Sequence, residues 1–186
     1  MRRFSDRPFP PYRHRPGRTP HPVLDEKGHS YGQPEADPLP FDPAGWRESQ
    51  DYLFGVDLFN HGYFWEAHEA WEGIWLTVRG KPQGDFLRGL IQVTAAFLKR
   101  LEGQEKGMRS LRRKAYAKLG PLAQPGELYC GIRLRDWMDR VDRALLSPSE
   151  GDDGSGSPPL RGAKGDTSPR WRIRLETEPG VELGEA

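Results

Sequence analysis

Residues Phe59 to Trp75 read FNHGYFWEAHEAWEGIW: two histidines, three glutamates, three tryptophans and a glycine-centred turn within seventeen positions. The turn Asn60-His61-Gly62 separates two apolar periodicities. Before it, Trp46, Tyr52, Leu53, Val56, Leu58 and Phe59 follow a largely helical pattern, and after it the pattern resumes from Tyr63 to about Val78. Gly62 suits the left-handed position that closes a helix. Two helices joined by so short a turn fold back as an antiparallel hairpin, which makes the fold class all-α.

At about 100° per residue, Phe64, Trp65, His68, Trp71, Glu72 and Trp75 fall on one face of the second helix. Ala67, Ala70 and Ile74 lie roughly opposite, with Glu66, Glu69 and Gly73 between. A histidine and a glutamate one turn apart are unusual on an aromatic face that has to bury something. The sequence marks a site there without naming a reaction.

Outward from the hairpin, Asp42-Pro43 has the form of an N-cap and first-turn proline, so the first helix is expected to start there. Arg79-Gly80-Lys81-Pro82 is the next break. A third helix follows through Leu87, Leu90, Ile91, Phe97 and Leu101 to near Gly103, apolar around much of its circumference and therefore central. The fourth, Glu105 to Leu119, is basic, with Met108, Leu111, Ala115 and Leu119 as its inward stripe. After Pro121, Pro125 and Gly126 a fifth helix is expected from about Ile132 to Leu146. The expectation is one five-helix domain of antiparallel hairpins over residues 42–147.

Residues 1–41 precede it as a Pro-rich extended arm: ten of the eighteen prolines lie between positions 8 and 43, so neither helix nor central strand persists there. The arm nevertheless carries His21, His29 and Tyr31 among turn-forming residues and is a candidate to contribute to the site. Residues 148–186 read as a linker, SPSEGDDGSGSPPLRGAKGDTS from Ser147, and a tail. In that tail Trp171, Ile173 and Leu175 alternate with polar residues like one β-strand. A lone strand is unstable without a partner, so the tail is expected to be mostly disordered.

The 186-residue chain has a formal charge of +1, which gives no global field toward nucleic acid or membrane. Its single cysteine, Cys130, excludes an internal disulfide and a Cys-rich zinc site. With no apolar run of signal-peptide or membrane-spanning length, a soluble, cytoplasmic protein is expected.

Three readings of His68 and Glu72 stay open at this level. They form a buried structural pair, each satisfying the other. Alternatively they bind a divalent metal, Zn²⁺, Mn²⁺ or Fe²⁺, with His61, Glu69, Gln92 or an arm histidine completing the shell; an open coordination position would then permit hydrolysis. The third reading is a metal-free pocket for a small molecule, lined by Trp65, Trp71 and Trp75, in which Arg88 and Gln92 fix an anionic or amide group.

The run LFNHGYFWEAHEAWEGIW followed by RGLIQVTAAFLK resembles the bacterial and archaeal family known as domain of unknown function 309. That family is marked by His, three residues, Glu, two residues and Trp or Tyr, here His68, Glu72 and Trp75. The likeness covers about residues 46 to 120. It implies a small all-helical domain with a metal-type site at His68 and Glu72, and no established activity, substrate or partner. The rival class is a non-enzymatic helical module whose basic fourth helix, with Lys106, Arg109, Arg112, Arg113, Lys114 and Lys118, meets an acidic partner or RNA. Apart from Tyr116, no base-stacking aromatic accompanies that helix.

Overall fold

The computed structural model describes residues 3–34, 37–147 and 171–176. It contains five α-helices: α1 (Gln50–Asn60), α2 (Phe64–Val78), α3 (Pro82–Leu101), α4 (Glu105–Leu119) and α5 (Leu134–Leu146), with a 3₁₀ turn at Gly120–Leu122. No strand occurs among the described residues; Tyr129 and Ile132 form an isolated bridge. Successive helices pack antiparallel, α1 on α2, α2 on α3 and α3 on α4. The hairpin turn is as the sequence requires, with Gly62 at φ +78°.

The first helix starts later than expected. Asp42 does not cap it; its carboxylate accepts the Ala44 N–H in a separate turn (3.0 Å), and Ser49 caps α1 instead, accepting from the Tyr52 N–H (3.4 Å). The fifth helix likewise starts two residues later, because Ile132 is taken up by its bridge to Tyr129.

Two glycines set how closely the helices approach. A Cβ on Gly55 would stand 2.2 Å from Trp71 Nε1, and one on Gly89 would stand 2.4 Å from Leu119 Cγ. Trp71 fills the space that Gly55 leaves on α1, and its indole N–H donates to the Tyr52 carbonyl (3.2 Å). Around them Phe59, Phe64, Phe97 and Trp137 form an aromatic centre in which Phe59 touches the other three rings.

The expectation of a disordered tail fails for residues 171–176. Trp171 and Ile173 are buried in the core, with the Trp171 ring 5.1–5.3 Å from Phe59, Phe64 and Phe97. The segment finds its partner in a side chain: Asn60 donates through Nδ2 to the Ile173 carbonyl (2.9 Å) and accepts the Ile173 N–H at Oδ1 (2.7 Å). One amide thus does what a neighbouring strand would do. Trp137 Nε1 donates to the Trp171 carbonyl (2.8 Å), and the Glu176 N–H to the Gly131 carbonyl (2.8 Å). Burying such an indole is worth about 3–5 kcal/mol relative to alanine. Residues 148–170, where most of the expected linker falls, and 177–186 lie outside the described residues.

The N-terminal arm packs along the α1–α2 hairpin. Buried Asp57 on α1 accepts the backbone N–H groups of Phe4 (3.0 and 3.1 Å) and Ser5 (2.9 Å), and Arg7 pairs with Asp51 at 2.6 Å. Further along, Pro38 lies beside Gly73 of α2 and Phe41 enters the core next to Tyr52. Among the described residues no helix is long and apolar enough to cross a membrane.

Candidate metal centre on the second helix

Helix α2 presents three sides rather than two. Phe64, Ala67, Trp71, Ile74 and Val78 form its core stripe, so Ala67 and Ile74, expected opposite the aromatics, belong to the buried side. His68, Glu72, Trp65 and Trp75 are displaced from that stripe and remain partly exposed. Glu66, with Gly73 further along, faces the arm. The apparent conflict of ionisable groups on the buried face is resolved by rotation: His68 and Glu72 sit on the shoulder of the helix.

On that shoulder His68, Glu69 and Glu72 bring one imidazole nitrogen and two carboxylate oxygens within 4.8 Å of one another. His68 Nε2 lies 3.5 Å from a Glu72 oxygen, with side chains 26% and 37% exposed. His68 Nδ1 is buried beside the Ile91 carbonyl without a hydrogen bond of good geometry. Burial lowers the His68 pKa; the Glu72 carboxylate opposes this, and the Arg88 charge adds to it. Glu69 is exposed as a residue, but the protein around its carboxyl, and then the charges of Glu72 and Glu66, push it up to about 7. Three carboxylates at i, i+3 and i+6 repel one another along this helix.

The other candidate residues divide. Trp75 and Arg88 are on the same shoulder, with the guanidinium 4.4 Å above the indole. Gln92, one turn further along α3, has a buried Oε1 without a hydrogen-bond partner. Trp71 does not line a pocket, because its ring is wholly inside the core. His61 stays in the hairpin turn, its Nδ1 on the Asp57 carbonyl (2.8 Å) and its ring against Phe9 (4.7 Å), and is not part of the three-residue cluster. A cavity of about 290 Å³ opens between the arm turn Arg15–Arg18 and the end of α3, lined also by Leu98, Leu101 and Glu102, and includes none of these residues.

The arm histidines gather one turn before His68. Glu66 Oε1 accepts the His14 backbone N–H (2.7 Å) and faces His29 Nε2 (3.4 Å), while Oε2 is buried without a partner. Burial raises the Glu66 pKa, against the hydrogen bond from His14. His14 Nδ1 lies within reach of the Thr19 hydroxyl (3.0 Å) and the Pro20 carbonyl (3.1 Å); burial and then the His21 charge lower its pKa. His14 and His21 both stand edge-on to Trp65 (5.1 and 5.4 Å). His21 Nδ1 accepts the N–H groups of Val23 and Leu24 (3.3 Å each), so its ring serves the arm's own turn. Tyr31 closes the Gly28 turn through its backbone and leaves its ring exposed. Glu66 and His14 escaped the sequence reading because nothing in their spacing links residues fifty positions apart.

The basic face of α4 is partly neutralised within the molecule. Arg112 binds Asp142 with two nitrogens, Lys118 pairs with Asp85 (2.8 Å) and Arg109 with Glu105 (3.5 Å).

The fold and this shoulder define a small all-helical domain carrying a His/Glu/Glu cluster on its second helix. Residues 52–111, from α1 into α4, match the family described as Domain of unknown function (DUF309). No curated protein and no solved structure matches the chain.

Proposed function

We propose that the α2 shoulder binds one divalent cation through His68, Glu69 and Glu72, and that this cation is the working centre of the protein. The convergence of the three ligand atoms within 4.8 Å on a partly open face carries the reading. Two further observations support it. Glu69 is pushed up to about 7 first by burial of its carboxyl and then by the charges of Glu72 and Glu66, and a cation would relieve that repulsion. All three ligands also come from little more than one turn of one helix, so the backbone holds them close together before any ion arrives. One imidazole and two carboxylates suit Mn²⁺, Fe²⁺ or Zn²⁺.

A cation with three protein ligands and open positions supplies Lewis-acid polarisation and an activated water, the requirements of metal-assisted hydrolysis. The chain's own groups would prepare for this. His68 is kept neutral by burial and so offers a lone pair, and Glu72 holds the imidazole in place from one turn away. Calorimetric titration of the full chain with Mn²⁺ and Zn²⁺ tests the proposal. Glu72→Gln keeps the shape of the side chain and is expected to weaken binding more than about tenfold, with an unchanged circular dichroism spectrum. Equal affinity in wild type and Glu72→Gln would remove the site.

A further inference from the structure

Arg88 on α3 is a half-buried cation with no carboxylate partner among the described residues. The acidic groups placed to neutralise it are engaged elsewhere: Asp85, one turn before it on α3, pairs with Lys118 at 2.8 Å, and Glu72 faces His68 at 3.5 Å. Trp75 holds it instead, with the guanidinium 4.4 Å from the ring centroid and a second guanidinium, Arg79, at 5.9 Å. A ring face fixes the plane of an Arg side chain while leaving its N–H edge free to donate. Trp75 follows Glu72 by three residues on α2, so the guanidinium it holds stands next to the proposed ligand cluster. The Trp75 face settles where the guanidinium lies but does not neutralise its charge.

We propose that the α2–α3 shoulder recognises a small molecule bearing an oxyanion, a phosphate or a carboxylate. Arg88 grips it by the fork of its guanidinium, and Trp75 forms an apolar wall for the rest of the molecule. The proposal rests on the cation reading above in one respect: Glu69 and Glu72 repel an anion until a cation offsets them, so oxyanion binding strengthens when the metal is present. Gln92, whose Oε1 lacks a partner, stands one turn further along α3 on the side of Arg88 and would receive a hydroxyl or amide N–H of the same ligand.

The experiment titrates inorganic phosphate, and separately malonate, into the full-length protein by calorimetry with and without Mn²⁺. Wild type is compared with Arg88→Gln and Arg88→Lys, and circular dichroism monitors the fold. Wild type should bind at least one of the two anions, more tightly with Mn²⁺ than without it. Arg88→Gln should lose more than about tenfold in anion affinity and Arg88→Lys less, because lysine keeps the charge without the fork. Mn²⁺ binding without anion should persist in both variants, since Arg88 is not a ligand, and should be no weaker in Arg88→Gln, where a neighbouring positive charge is removed. Anion binding that is equal in wild type and Arg88→Gln, or absent with and without Mn²⁺, overturns the oxyanion site and leaves the metal reading standing. Arg88-dependent anion binding in a protein that takes up no Mn²⁺ keeps the oxyanion site and removes the metal. Should Arg88→Gln lose its fold, Arg88→Lys carries the test: an affinity identical to wild type then overturns the proposal.

Discussion

Helix α2 carries two His–Glu pairs of nearly the same length, and they differ in everything else. His29 and Glu66 stand 3.4 Å apart with side chains 6% and 4% exposed; His68 and Glu72 stand 3.5 Å apart at 26% and 37%. The first pair joins the arm to the helix and is backed by the His14 N–H. The second joins two residues of one helix, has a further carboxylate within 4.8 Å, and leaves its imidazole Nδ1 without a hydrogen bond. Distance alone therefore does not tell a structural pair from one proposed to bind a cation. The closed pair acts as a latch because it ties the arm to the helix inside the fold, whereas the open pair stands on a partly exposed shoulder beside a third ligating group.

The comparison breaks most visibly in stability. Glu66→Ala removes the acceptor of a buried backbone N–H and strands His29, and is expected to cost about 2–4 kcal/mol in chemical denaturation. Glu72→Ala takes away one partner of a partly exposed pair and should cost less than about 1 kcal/mol. Equal costs would erase the distinction between latch and site.

A smaller effect sharpens the comparison through pH. A carboxyl held up to about 7 must lose its proton before it can ligate, so cation affinity should rise about tenfold per unit as the pH climbs toward 7 and flatten above it. Burial lowers the His68 pKa, which moves its own titration toward the acid side of that rise. Glu69→Gln should bind more weakly and lose most of the rise between pH 6 and 7, as followed by titration with Mn²⁺. An undiminished slope in that variant would mean that another group sets the pH dependence.

Much of this was legible in the sequence because it depends on local periodicity. The Asn60-His61-Gly62 turn, the bounds of α4 and the one-turn spacing of His68 and Glu72 all follow from 3.6 residues per turn and from the freedom of glycine at positive φ. What stayed hidden depends on contacts between distant segments. Asn60 reads as a turn residue, and nothing in its neighbours says that its amide will pair with Ile173. Glu66 reads as a residue between two faces until the arm brings His14 and His29 to it. The side on which Trp71 lands could not be derived from a helical wheel, because Gly55 on another helix makes room for its ring.

The most direct test is elemental analysis of the purified, untagged protein beside His68→Ala and His29→Ala prepared in parallel. The account predicts about one divalent metal ion per chain in wild type and in His29→Ala, where the latch alone is altered, and loss of the metal in a still-folded His68→Ala. Metal lost from His29→Ala but kept in His68→Ala would place the centre at the arm and contradict the account. A wild type that stays metal-free after incubation with Mn²⁺ and Zn²⁺ would contradict it as well, leaving His68 and Glu72 as a surface ion pair.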